Sequence, residues 1–465
     1  MNTTGTIYRH SLALLTDLYQ LTMAYGYWKS GRADVQSVFH LFFRKNPFRG
    51  GYAIAAGLEP IIEILQDFRF DQQDLAYLAS LTGNDDQPLF EPDFLSYLGK
   101  LQFNCDVDAV PEGTVVFPHE PLLRIKGPIV QCQILETLLL NTINFQTLIA
   151  TRASRLAKAA GDEPVLEFGL RRAQGIDGGL AASRAAYIGG CSATSNVLAG
   201  KLYGIPVKGT HAHSWVMSFD DEAASFRAYA AAMPNNCVFL VDTFDTLEGV
   251  EKAINVGHEL RSDGHEMVGI RLDSGDLAWL SIQARKLLDE AGFPEASIVA
   301  SNDLDENLIE DLKTQGAKIN VWGIGTKLVT AYDQPALGGV YKLSAIQQED
   351  GTWVPKIKLS EQAIKTSNPG MLQIRRFLEN DGFVADMIWN LLETPGSEPT
   401  MVDPLDPTRN RALPHAQYID LLEPVFRDGQ RVQEPQSIEV ARDRAKNQLK
   451  QFYPCLLYTS PSPRD

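Results

Sequence analysis

The most constraining feature of this chain is a series of short apolar runs between about residues 162 and 345: PVLEFG, IPVKG, CVFLVD, MVGIRLD, SIVAS, INVWGIG and GVYKLSA. Several recur at roughly the 30-residue length of a strand–helix unit. Near-continuous apolarity over four or five residues suits parallel strands covered on both faces. Helical stretches such as TLEGVEKAINVG and LAWLSIQARKLLDEAG lie between them, the latter closed by Gly292. Alternation of this kind predicts an irregular (β/α) barrel over 162–345 in preference to an open doubly wound sheet.

The flanking regions differ in texture. Residues 1–161 predict an N-terminal α/β domain, with a helix over Thr16–Lys29, a strand over Val35–Phe43, and a long helix ending near Gly161. Residues 346–454 are loop-rich (KTSNPG, ETPGSEPTMVDPLDPTRN) and read as an extension that completes the N-terminal domain. The last stretch, CLLYTSPSPRD at 455–465, lacks the pattern of the helix before it and reads as a non-native tail.

Charge and cysteine content narrow the function. With 42 Lys+Arg against 58 Asp+Glu, the net charge of −16 disfavours binding to nucleic acid or anionic membrane. Phosphorylated small molecules answer to a local site and stay open. Five scattered cysteines without a CxxC pair argue against a disulfide framework or zinc ribbon and for a reducing compartment. No signal peptide or membrane span is legible, so a cytoplasmic protein is expected.

In a barrel, chemistry collects just after the C-terminal ends of the strands. In GIGT, Gly323 and Gly325 free backbone N–H groups to approach an anion, with the Thr326 hydroxyl beside them; a plain tight turn is the alternative. In LDSGD, Asp273 and Asp276 can hold Mg²⁺ through water or accept sugar hydroxyls, while Ser274 and the Gly275 N–H can hold a phosphate oxygen. The same residues also suit a helix N-cap. Arg271 and Arg171 bring guanidinium forks suited to carboxylate or phosphate, although one of Arg171 and Arg172 is expected at the surface. In THAHS, His211 and His213 stand two residues apart, and a shared metal is not the default reading of such a pair.

The set TDLYQLTMAYGY, FHLFFRKNPF, EFGLRRAQGIDGG, SNVLAGKLYGIPVKGTHAHS, GIRLDSGDL and VWGIGT, in this order, resembles the nicotinate phosphoribosyltransferase family. The resemblance runs from about residue 14 to 345, and more weakly to about 450. It implies the type II phosphoribosyltransferase architecture, in which an N-terminal α/β domain is joined to an irregular barrel. It also implies transfer of phosphoribose from phosphoribosyl diphosphate to nicotinate, Mg²⁺ as cofactor, and ATP as a co-substrate spent through a phosphohistidine. A homodimer with shared active sites is implied as well. Carried over by motif, His213 is the phosphohistidine, Tyr19 and Thr210 contact nicotinate, Arg271 meets its carboxylate, and Thr326 binds the phosphoribosyl moiety. His211 stands where the family usually has an apolar residue. A nicotinamide-specific relative would want an acceptor near the amide, which GTHAHS lacks; quinolinate would want a denser basic pocket. A barrel aldolase would need a supported strand lysine, and Lys208 and Lys342 have no such cluster. A non-enzymatic scaffold sits poorly with so many polar strand ends.

Overall fold

The structure is a computed structural model. It describes residues 11–358, 367–380, 382–393, 400–403, 406, 408–412, 417–453 and 455. Most of the tail read as non-native lies outside the described residues, with only its first residue, Cys455, described and exposed. The chain forms two compact units, one of residues 1–148 with 336–465 and one of residues 149–335.

The first unit is built on an antiparallel sheet of seven strands. Its order is Trp353–Pro355, Gly339–Gln347, Gln36–Phe43, Leu123–Pro128, Asp106–Ala109, Glu423–Arg427 and Gln430–Arg431. Gln36–Phe43 is an interior strand, buried at every position after the first, as its SVFHLFF run requires. The Gly339–Gln347 strand pairs with it, Val38 facing Ala345. GVYKLSA therefore does not belong among the barrel strands that its pattern suggests. An apolar run announces a strand but not its partner, and here antiparallel pairing leaves half of the strand only partly covered. The Glu423–Arg427 strand and the Ile438–Gln451 helix bring the C-terminal segment back onto this unit. Arg376, fully buried, donates to the Val115 carbonyl at 2.7 Å and to Asp386, while Val115 N–H donates to Gln448 at 2.9 Å.

The second unit holds the site. Its sheet is wholly parallel, ordered Ala193–Thr194, Val165–Glu167, Val321–Ile324, Ser297–Asn302, Gly269–Leu272 and Val238–Leu240. Helices Gly175–Gly189, Thr246–Ser262, Leu277–Glu290 and Glu306–Thr314 connect successive strands. The strands are short and their apolar side chains almost completely buried, with Ile270, Leu272, Ile298, Ala300, Trp322 and Ile324 at 0% exposure. IPVKG, read as a strand, contributes one bridge only, Thr194 to Val207. The neighbouring strand is instead Ala193–Thr194, too short to register as an apolar run. Because all the strands run the same way, their C-terminal ends deliver residues 168–172, 241–243, 273–276, 301–305 and 325–326 to one edge.

Candidate active site

Arg271 organises that edge. It lies on the Gly269–Leu272 strand with only 15% of its side chain exposed, and its guanidinium is used as a three-way fork. Nε donates to Ser301 Oγ at 2.8 Å, Nη1 to Thr210 Oγ1 at 3.0 Å and Nη2 to Asp273 Oδ1 at 3.0 Å. Three hydrogen bonds from one planar cation leave it little freedom, the preorganisation that recognition of a carboxylate needs. Ser301 also donates to Asp273 Oδ1. Burial raises the affinity of Asp273 for its proton, but the Ser301 hydrogen bond and the Arg271 charge outweigh it and hold the carboxyl below its usual range. Asp273 is therefore an anion at neutral pH.

His213 opens the short His213–Met217 helix, and its side chain is 39% exposed. Nδ1 lies 3.1 Å from Thr243 Oγ1, while Nε2 lies 3.9 Å from Asp242 Oδ1 and 3.8 Å from Asp273 Oδ2. One ring nitrogen is thus occupied by a hydroxyl, and the other faces two carboxylates without a hydrogen bond to either. Asp242 is buried, and its Oδ2 accepts from the Asp273 N–H at 2.8 Å and the Ser274 hydroxyl at 2.7 Å. Its Oδ1 has no hydrogen-bond partner among the described residues. Asp242, Thr243 and Ser301 do not stand out in the sequence. Each follows an apolar run directly, but so do several polar residues that point elsewhere.

His211 behaves differently from its neighbour. It is buried, with its Nε2 accepting from the Leu240 N–H at 3.3 Å and its ring edge-on to Tyr229. Burial lowers its pKa from 6.5 to about 4, helped by the charges of Arg271 and His213 and opposed by a backbone hydrogen bond at Ala212. It is a neutral structural acceptor rather than a second titrating group at neutral pH.

The remaining predicted residues divide. In LDSGD, Ser274 joins the cluster through Asp242, and Gly275 turns the chain at φ +80°. Asp276 caps the Leu277–Glu290 helix, its Oδ1 accepting from the Trp279 N–H at 3.0 Å. Gly323 stands where a Cβ would come within 2.8 Å of the Phe168 ring, so the missing side chain lets that ring lie against the strand. Arg271 lies 5.9 Å from the centre of the same ring. Gly325 and Thr326 form the turn that starts the Thr326–Val329 helix. Arg171 and Arg172 are both exposed on a turn of 3-10 helix, Leu170–Arg172, with no protein ion-pair partner among the described residues. Tyr19 belongs to the first unit, on the Leu18–Lys29 helix, with 49% of its surface exposed. Lys342 lies in the antiparallel sheet of the first unit and Lys208 is exposed, so neither is a strand lysine of the parallel sheet.

Comparison with known proteins supplies the family. A model of the nicotinate phosphoribosyltransferase family matches residues 165–382, flanked by its N-terminal domain model at 14–144 and its C-terminal domain model at 373–461. The nicotinate phosphoribosyltransferase of Bacillus subtilis (strain 168) is 52% identical over 369 residues, 79% of this chain and 74% of its own length. The chain belongs to the nicotinate phosphoribosyltransferase family. The crystal structure of human nicotinic acid phosphoribosyltransferase superposes with a TM-score of 0.84 at 34% identity, over 96% of this chain and 95% of that one. A nicotinate-nucleotide pyrophosphorylase from Pyrococcus furiosus shares the fold, with a TM-score of 0.71 at 20% identity over 95% and 96% of the two chains. The type II phosphoribosyltransferase architecture expected from the motifs is the one observed.

Proposed function

We infer that this chain transfers phosphoribose from phosphoribosyl diphosphate to nicotinate, yielding nicotinate mononucleotide and diphosphate in NAD salvage, and couples that transfer to ATP through His213. Family membership supports the transfer. The observation that carries the coupling is the His213 geometry, with Nδ1 on Thr243 and Nε2 unbonded between two carboxylates.

In the transfer, the anomeric C–O bond breaks with its electron pair leaving on diphosphate, and the pyridine nitrogen forms the new C–N bond. The ring nitrogen carries its own lone pair, so no general base is required; orientation is. The Arg271 fork suits the nicotinate carboxylate, and Phe168, held against Gly323, offers an apolar face beside it. Tyr19, exposed on its helix, would reach nicotinate in the neighbouring subunit of a homodimer, as the family resemblance implies. Positive charge that develops on ribose is met by Asp273, ionised by its own hydrogen bonds. The turn at Gly323, Gly325 and Thr326 and the exposed Arg171 are assigned to the phosphates of the donor.

Among the described residues no group of three or more His, Cys, Asp or Glu is arranged to hold a metal ion. Mg²⁺ delivered on the diphosphate would take most of its ligands from phosphate and water and would need one or two carboxylates from the protein. Asp273, and Asp242 through its unpartnered Oδ1, would serve; Asp276 already spends one oxygen on its helix cap. The ion would neutralise charge on the departing diphosphate.

For the coupling step, His213 Nε2 attacks the terminal phosphorus of ATP, a P–N bond forms, and the bond to ADP breaks. The added charge, about −1.5 to −2 as for a phosphoserine, beside Asp273 and Asp242 would alter how the loops hold the donor. No helix among the described residues is long and apolar enough to cross a membrane. Cys105, Cys132 and Cys237 are buried free thiols, which supports a reducing, cytoplasmic setting. His213→Ala tests the coupling: it should abolish ATP stimulation while slow transfer persists. Unchanged stimulation in the variant removes the phosphohistidine.

A further inference from the structure

Behind the Gly323–Thr326 turn lies a set of ion pairs that the transfer chemistry does not use. Lys327, the residue after Thr326, directs its ammonium to Asp305 Oδ2 at 2.6 Å, with 25% and 13% of the two side chains exposed. Asp305 ends the loop that follows the neighbouring Ser297–Asn302 strand, and its Oδ1 accepts the Leu308 N–H at 2.9 Å as an N-cap. The next residue, Glu306, is buried and its Oε1 accepts from Arg152 at 3.0 Å and Arg155 at 2.8 Å. Arg152 reaches on with its other nitrogen to Asp333 at 3.2 Å. Lys327 lies within the Thr326–Val329 helical turn and Asp333 in the segment that follows it, so the turn is tied directly, and the segment after it through Arg152, to one acidic pair at the start of the Glu306–Thr314 helix.

We propose that Asp305 and Lys327 are positioning residues that clamp the Gly323–Thr326 turn in its phosphate-accepting conformation, and that Lys327 is not itself a ligand of the donor phosphate. The inference rests on the assignment of that turn to the phosphoribosyl donor. A lysine next to a phosphate-binding turn invites the opposite reading, in which its charge meets the ligand. The geometry points elsewhere: the ammonium is paired within a hydrogen bond of a carboxylate that is itself fixed by a cap and flanked by Glu306, and a phosphate would have to compete for it. The pair also lowers the Asp305 pKa against its burial and raises that of Lys327, so both stay charged across the neutral range.

The two roles predict opposite signs for one substitution. Asp305→Asn keeps the N-cap, because asparagine caps as well as aspartate, and removes only the charge. If the pair is a clamp, Asp305→Asn and Lys327→Met should each raise the KM for phosphoribosyl diphosphate by about five- to twentyfold, within the range of coupled ion-pair energies. The double variant should be no worse than either single one, kcat at saturating donor and the KM for nicotinate should stay within twofold, and Lys327→Arg should restore most of the loss. If Lys327 instead binds phosphate, Asp305→Asn frees it and lowers the donor KM; that outcome overturns the proposal, as does an unchanged KM in both variants. Thr326→Ala separates the two layers of inference. An unchanged donor KM in Thr326→Ala shows that the turn is not the phosphate site, whereas a raised KM there with normal values in Asp305→Asn and Lys327→Met removes the clamp alone.

Discussion

Acid should act on the stability of the fold through His211. Its ring is 8% exposed and its pKa falls from 6.5 to about 4, chiefly through burial. A histidine with a depressed folded pKa contributes stability that is complete above the unfolded value near 6.5. The contribution is lost as pH falls toward about 4, below which both states are charged. Each tenfold difference in proton affinity between the folded and unfolded states is worth about 1.36 kcal/mol. Linkage over the window from pH 7 to pH 5 then gives a loss of about 1.8 kcal/mol, or about 1–2 kcal/mol once some relaxation around the charged ring is allowed. His211→Gln is the right comparison, because a glutamine carbonyl can still accept the Leu240 N–H and does not titrate. Guanidinium unfolding at pH 7 and pH 5 should show the wild-type chain losing about 1–2 kcal/mol more than the variant over this interval. Equal losses in the two proteins would refute the claim that His211 is held neutral by burial.

Two other substitutions separate roles within the cluster. Arg271→Lys keeps the charge but cannot span Thr210, Ser301 and Asp273 together; nicotinate KM should rise by about ten- to a hundredfold, the cost of one or two charge-assisted hydrogen bonds. Steady-state titration of nicotinate at saturating donor reads it, and an unchanged KM removes Arg271 from nicotinate binding. Asp276→Asn preserves the cap on the Trp279 N–H, so a purely capping role predicts kcat and thermal stability near wild type, whereas a role in metal or sugar binding predicts a large loss of kcat.

Much of the site is legible in the sequence because the parallel sheet announces itself. Runs such as MVGIRLD and INVWGIG are buried on both faces, and the rule that chemistry follows the strand then places Arg271, Asp273, Ser274 and Thr326 at one edge. The rule does not say which of several polar residues after a strand turns inward. Asp242 and Thr243 escape for that reason: DTFDT offers two aspartates, one at the strand end facing His213 and one, Asp245, capping the next helix. Asp276 shows the converse, a carboxylate whose spacing suits both a ligand and a cap and whose side chain is seen as a cap. Long-range pairing is hidden altogether. Nothing local to GVYKLSA or IPVKG distinguishes a parallel strand from an antiparallel partner of Gln36–Phe43 or from a single bridge. A two-residue period would put His211 and His213 on one face of an extended segment; their opposite fates arise because His213 opens the His213–Met217 helix while His211 is buried against Leu240 and Tyr229.

The central claim is a pairing of site and substrate, and one competition of bases tests it most directly. Purified protein supplied with phosphoribosyl diphosphate, Mg²⁺ and ATP should form the mononucleotide of nicotinate readily and that of nicotinamide poorly or not at all, with product identified by mass. Equal rates on the two bases would contradict the role proposed for the Arg271 fork as partner of the nicotinate carboxylate.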